Sequence, residues 1–317
     1  MQTRSIHGIP QNFSTPKKIW RKVKKTILID SRDRQITGAS SPGSYNVILP
    51  AVYSNVYSIT LRTYEIPLTY NTFASCLGNT TINVSYTPSG GIQSNANVTI
   101  PDGNYTTTTL PIAVTTALQG ISASWSPVGL TWSQNSLRST LFSTNINDQI
   151  VLNLSASSSV NCGAGTNTPL STCWGLGYYL GFYPQTYTSV SGGITSSFMM
   201  NPNPDTYIIL ELAGLNKLDE TGLDGRIAGR IDGAFAKVPL TQNSGEYLFF
   251  ADSSGESPLN HRVYNPPIAR LDRLTVRWRR HDGRTIDFNG GEHSFTLELE
   301  LLDNNFDEYS SLEFASQ

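Results

Sequence analysis

Charge is scarce in this chain. Of 317 residues only 15% are Asp, Glu, Lys or Arg, and they balance to −2. A near-neutral total excludes nucleic-acid binding driven by net charge, although local basic patches remain open. Cysteine is scarcer still: Cys76, Cys162 and Cys173 are three in number and irregularly spaced. That excludes a disulfide framework and any Cys-x-x-Cys metal pair. Free thiols from a reducing compartment are the expectation, with a Cys162–Cys173 bridge across one loop as the alternative. No apolar run approaches the ~18 residues that a membrane-spanning helix needs. The opening "MQTRSIHGIP" is polar and lacks a signal-peptide core, so the chain is expected to be soluble and used on the cytosolic side. The Asn-x-Ser/Thr triplets are then products of composition rather than glycosylation sites.

Ser, Thr, Asn, Gly and Tyr are abundant instead. This is the make-up of hydroxyl- and amide-covered β surfaces such as those of capsids, fibres and lectins. Residues 1–25 form an arm that ends in "KKIWRKVKK", where Lys17, Lys18, Arg21, Lys22, Lys24 and Lys25 stand without an acid. Ile19, Trp20 and Val23 fall at spacings that share one face of a short helix. From residue 26 come the strand signals "TILID", "SYNVILP" and "VYSITLRTYEIP", ended by Pro50 and Pro67. In the last, Val56, Ser58, Thr60 and Arg62 alternate with Tyr57, Ile59, Leu61 and Thr63, which predicts two opposite faces. "TINVSYT" and "NANVTIP" follow, on either side of a Pro-Ser-Gly-Gly turn.

The one clear helix is "PDGNYTTTTLPIAVTTALQG". Leu110, Val114, Ala117 and Leu118 recur at helical spacing, Pro111 suits a first turn and Gly120 a C-terminal stop. Three more strands, "GLTWSQ", "RSTLFST" and "QIVLNLS", precede a Ser/Gly/Asn/Pro-rich loop through 155–204. Strands resume with "DTYIILELAGL", "GAFAKVPL", "EYLFFAD", "LDRLTVRWRR" and "EHSFTLELELLD". Two strand groups, 26–67 and 205–303, thus bracket an insert with its own sheet and one helix. The expectation is an all-β single jelly-roll sandwich with an inserted β-rich domain. Its divisions are the arm at 1–25, jelly roll at 26–78, insert and long loops at 79–204, and jelly roll again at 205–317.

Catalytic arrangements are missing. His7 lies in the arm, His281 and His293 flank turns, and His261 completes the four histidines. No G-x-S-x-G, H-E-x-x-H or Cys/His pairing occurs. "LDETGLDGRIAGRIDG" offers Asp219, Glu220, Asp224 and Asp232 as paired carboxylates for glycoside hydrolysis, but its glycines mark a loop. "DGRTIDFNGGE" spaces Asp282, Asp287, Asn289 and Glu292 loosely like a calcium loop and fails the EF-hand pattern. An acidic β-turn accounts for it more simply. In "LDRLTVRWRR", Arg277 and Arg279 share one strand face, and Trp278 and Arg280 the other. An RNA-binding sheet would put cations and aromatics together, so an exposed edge or interface face is expected. No catalytic residue, metal ligand or cofactor is expected.

The scarce charges gather at "ILIDSRDRQ". Three aliphatics of a buried strand run into Asp30, Arg32, Asp33 and Arg34. In extended chain Asp30, Arg32 and Arg34 share one side and Ser31 and Asp33 the other. Such alternation can satisfy itself locally or pair bidentately with carboxylates on a neighbouring chain. A structural charge network at a subunit contact is the favoured reading, and it would also guard an edge strand.

These residues also carry a resemblance. "KKTILIDSRDRQ", "PGSYNVILP" and "VYSITLRTYEIPLTYNT" resemble the N-terminal pattern of penton and minor capsid proteins of large icosahedral nucleocytoplasmic DNA viruses and virophages. "IPDGNYTTTTLPIAVTTAL" is similar to that family's Gly-Asn-Tyr-Thr helix start, and "GYYLGF" to its Leu-Gly-Phe strand end. "LDRLTVRWRRHDGRTIDFNGGEHSFTLELEL" is similar to its closing strands. The resemblance implies a single jelly roll with an insert, no enzyme activity and a structural place in the virion. A capsid-vertex (penton) subunit is implied, assembling as a homopentamer and contacting major and minor capsid proteins after synthesis in the host cytoplasm. A minor (cement) protein beneath the major capsid lattice is the alternative, and a carbohydrate-binding fibre or lectin-like module a distant one. No specific nucleic-acid partner is expected. The basic arm departs from the pattern and suits inner-surface contacts with other capsid chains or an anionic membrane leaflet.

Overall fold

The computed structural model describes residues 20–38, 40–154, 175–189, 192–218, 233–252 and 260–303. In chain order, strands β1 (Arg21–Asp30) and β2 (Ser44–Pro67) come first. Next are β3 (Thr81–Thr87), β4 (Ser94–Thr99), helix α1 (Thr109–Gln119), β5 (Val128–Trp132), β6 (Ser139–Ser143) and β7 (Gln149–Asn153). The one-turn helix α2 (Leu176–Tyr179), β8 (Thr186–Thr188) and β9 (Gly193–Thr195) follow. Last are β10 (Tyr207–Leu212), β11 (Ala236–Pro239), β12 (Tyr247–Ala251), β13 (His261–Arg279) and β14 (Ser294–Asp303).

One seven-stranded antiparallel sheet has the order β1-β14-β2-β13-β10-β11, with β12 also on β2. Its two longest strands shape it. β2 and β13 lose register between Val263 and Ile268 and again between Leu271 and Arg273. At the second shift residues 49–52 of β2 have no partner on β13. Such irregularities bend a strand and raise its local twist. The sheet curls into an open half-barrel around a single core, the architecture of a jelly roll.

Alternate side chains fill that core. Ile27 and Ile29 come from β1, Ile59, Leu61, Tyr64 and Ile66 from β2, Trp278 from β13, and Phe295, Leu297 and Leu299 from β14. Each fully buried aliphatic contributes roughly 1.5–3 kcal/mol. A second core lies within residues 73–200, where a four-stranded sheet (β4-β3-β7-β8) and a three-stranded one (β5-β6-β9) meet α1. The helix buries Leu110, Pro111, Val114 and Leu118 at the spacing its sequence shows.

The structure corrects several expectations from the sequence. Pro50 does not end a strand: β2 runs through it as one element of 24 residues. The two faces read from residue 56 onward also fail. The register of β2 on β14 shifts between Glu300 and Leu301 and between Thr296 and Leu297, leaving Tyr57 and Arg62 as extra residues. Each extra residue flips the face, so Val56, Ile59, Leu61 and Tyr64 all reach the core. Gly120 caps α1 with a right-handed φ of −71°, so its place does not rest on left-handed freedom. "GYYLGF" is the helical turn α2 followed by loop, not a strand end. The 155–204 stretch, expected as loop, holds α2, β8 and β9 among its described residues. Strand β13 begins ten residues before "LDRLTVRWRR" and lies between β2 and β10, so it is no edge.

Candidate functional site

The "DSRDR" residues are not extended. Ser31–Asp33 form one 3-10 turn, which the Asp30 carboxylate caps by accepting the Arg32 backbone N–H at 2.9 Å. The Arg32 guanidinium folds back on the same carboxylate at 2.9 Å. That hydrogen bond holds the Asp30 carboxyl below the usual range. Arg32 and Asp33 are exposed, and Asp33 acts on Arg32 only through its charge. The turn therefore breaks the alternation that an extended chain would have given.

Arg34 points elsewhere. Its guanidinium donates to the Ser31 carbonyl at 2.6 Å and to both Glu292 oxygens at 2.8 Å. The buried Ser31 hydroxyl donates to Glu292 as well. Burial alone would raise the Glu292 carboxyl, but the Ser31 and Arg34 bonds outweigh it and hold it low. Backbone bonds complete the joint: Ser31 N–H donates to the His293 carbonyl, and His293 N–H to the Ser31 hydroxyl, both at 2.9 Å. Of the four residues singled out in the sequence, Arg34 alone reaches across the fold. Glu292, its partner, lies in the stretch whose sequence predicts an acidic turn.

The arm's last cations lie in β1. Arg21 pairs in register with Asp303, and residues 21–25 are extended, which overturns the helical face read through Val23. Lys22 meets Glu300 at 3.3 Å, and Lys24 meets Glu298 at 3.1 Å. From the other side Arg62 reaches Glu298 at 2.8 Å and the Ser58 hydroxyl donates to Glu300 at 3.1 Å. The sheet's outer face is thus an ion-pair ladder. Among the described residues Arg21 and Lys25 are exposed and make no ion pair. Trp20 is 43% exposed. Lys17 and Lys18 lie outside the described residues.

Sequence reasoning missed a buried charge cluster on β13. Arg279, 1% exposed, donates to Glu211 of β10 at 3.1 Å and to the Gly233 carbonyl at 2.9 Å. Arg280 donates to Asp205 at 3.1 Å and to the Asn71 carbonyl at 2.7 Å. Asn71 and Asp205 stand where the chain leaves the large sheet for the second core and returns to it. Arg284 adds a bond to the Leu77 carbonyl at 2.9 Å. The adjacent arginines of "RWRRHDGR" were the available signal. Their burial was not legible, because it depends on acids and carbonyls far away in sequence.

The remaining candidates are engaged singly. His261 Nδ1 lies 2.7 Å from the Thr60 hydroxyl and His281 Nδ1 2.8 Å from the Tyr207 hydroxyl. Asp282 accepts from Arg284 at 2.7 Å, and Asp287 accepts the Asn289 N–H at 2.9 Å. No group of three His, Cys, Asp or Glu among the described residues could hold a metal ion. Cys76 is exposed. Cys162, Cys173, His7, Asp219, Glu220, Asp224 and Asp232 lie outside the described residues.

Comparison with known proteins also finds viral penton proteins. The chain is 32% identical over 97 residues to the penton capsid protein P1 of Paramecium bursaria Chlorella virus 1. The match covers 30% of this chain and 54% of that protein, so it spans about half the length of the curated relative. A mavirus penton protein of known structure superposes with a TM-score of 0.48 and 10% identity, over 89% of this chain and 100% of that one. At that score the superposition carries no weight for function. No family model matches the chain.

Proposed function

We propose that this protein is a structural subunit of an icosahedral virus capsid, placed at the vertex. The observation that carries the reading is the 32% identity shared with a protein that is itself a penton capsid protein. The jelly roll supports it, since a curled antiparallel sheet presents two faces and several loops for contact with neighbours. The finer reading is a homopentamer that contacts major and minor capsid proteins in the virion, with assembly in the host cytoplasm. The described charges favour a structural role, because Asp30, Glu292, Glu298 and Glu300 beside the first strand are each paired with a basic neighbour.

The arm belongs to the same proposal. Lys22 and Lys24 are used within the sheet, so inner-surface anchoring falls to Lys17, Lys18, Arg21 and Lys25, with Trp20 beside them. Their partner is another capsid chain or an anionic membrane leaflet, where each cation near the surface contributes about 1 kcal/mol.

The test is location and symmetry. Mass spectrometry of purified virions should find the chain at vertex stoichiometry, and electron micrographs of the purified protein should show five-fold particles. Absence from virions overturns the capsid reading. Presence in virions with trimers or monomers in solution transfers the chain to the minor-protein role beneath the lattice.

A further inference from the structure

His293 is nearly fully buried at the joint just described. Its ring lies among Tyr45, Trp278, Phe288 and Phe295, with centroids 5.6, 5.4, 5.5 and 6.2 Å away. Nε2 sits 2.8 Å from the Pro42 carbonyl, so this nitrogen carries the proton and donates. Nδ1 is then the bare nitrogen, and among the described residues it has no hydrogen-bond partner. The imidazole therefore fits its cage only when neutral. A proton on Nδ1 would put a charge and an unpaired donor inside an aromatic box.

We propose that His293 is an acid-sensitive latch: neutral, it holds the chain at Ser31–Gln35 and at Ser41–Gly43 on the sheet, and protonated, it lets that segment go. The latch works at both ends of the segment. At one end His293 exchanges backbone and side-chain bonds with Ser31. At the other it binds Pro42, whose neighbour Gly43 accepts the Trp278 N–H at 2.8 Å. Between them Gln35 N–H donates to the Asn46 carbonyl at 3.0 Å. Release of these contacts would free the "DSRDR" turn while β2, β13 and β14 keep their own ladders.

The charged groups facing the ring do not all favour the same state. Asp30 from β1 and Glu292 from its own loop favour a proton on His293, and Arg34 opposes it. Burial pushes the Tyr45 hydroxyl far up, so from β2 it faces the ring uncharged. Desolvation dominates and holds the imidazole down to about 4, against an ordinary value of 6.5. In the released segment the ring regains its ordinary affinity for protons. Between those two values only the open form is protonated, so opening becomes about tenfold easier per pH unit, about 300-fold in all. Asp30 and Glu292 stay ionised through most of that window, because both are held below the ordinary carboxylate range.

Hydrogen exchange on the full chain tests this, with rates corrected for the intrinsic effect of pH. The Ser31, Gln35 and Ser41 amides, which are hydrogen-bonded in the closed form, should lose protection steadily from pH 6.5 towards 4, while those of β3 and β7 keep theirs. A His293→Phe variant, which fills the cage and cannot titrate, should be flat across the window. Wild-type protection that does not change, or a variant as steep as wild type, overturns the proposal. A Glu292→Gln variant should retain the steep response, and its loss would assign the effect to the carboxylate instead. Should His293→Phe fail to fold, NMR titration of the wild-type histidine rings decides: one must titrate near 4, and four ordinary midpoints refute the latch.

Discussion

Arg34 and Glu292 stand 258 positions apart in the chain and meet at 2.8 Å. They bind the exit of the first strand to the entrance of the last, and the two strands lie side by side at the sheet's edge. Arg34→Ala should therefore destabilise the fold by about 1.5–3 kcal/mol, the range for a lost hydrogen bond to a charged group. Arg32→Ala, which removes an exposed guanidinium, should leave the urea midpoint unchanged. Equal losses in the two variants would show that the pair across the fold has no special role.

The Arg279–Glu211 pair is deeper, with side chains 1% and 9% exposed. Arg279→Ala leaves Glu211 only the half-exposed Arg277, 3.5 Å away, so it should cost about 3 kcal/mol, the low end for breaking a buried pair. Glu211→Gln should cost less, because the amide oxygen still accepts. A urea titration of both variants orders them.

The outer ladder gives an acid dependence with a definite sign. Burial would raise the Glu298 carboxyl, but hydrogen bonds from Arg62 and Lys24 outweigh it and hold it below the ordinary 4.5. A depressed carboxylate contributes stability above its unfolded value, which is lost as pH falls through the folded one. The gap between wild type and Arg62→Ala should thus be full near pH 7 and should shrink as pH falls below the ordinary 4.5 and Glu298 takes up its proton. Lys24→Ala should show a smaller gap of about 0–1 kcal/mol, since Lys24 is mostly exposed. Urea midpoints from pH 3 to 7 check both.

Gly43 stands where no side chain fits. A Cβ built there would lie 1.8 Å from the Ile286 carbonyl oxygen, which is backbone and cannot swing away. Gly43→Ala should therefore destabilise by roughly 2–3 kcal/mol. It should also expose the Trp278 amide, whose acceptor is the Gly43 carbonyl, to hydrogen exchange. A melting temperature equal to wild type would refute the contact.

Periodicity alone determined much of this protein. Leu110, Val114 and Leu118 announced α1, and the short strands from "TINVSYT" to "QIVLNLS" were legible because alternation within five to seven residues is a local signal. The jelly roll with an insert followed from the order of those signals. Tertiary structure decided what depends on distant partners. Tyr57 and Arg62 became bulge residues only because β14 skips them, and no pattern within β2 shows that. Proline did not stop β2 at Pro50, because residues 49–52 face no partner on β13 and no ladder bond is lost there. The charged motif was visible as a motif, but its geometry was not. Asp30 turned the chain through a local cap, and Arg34 found Glu292 only once β1 and β14 were neighbours. Charges are sorted by what the fold brings near them, and a sequence records only which charges there are.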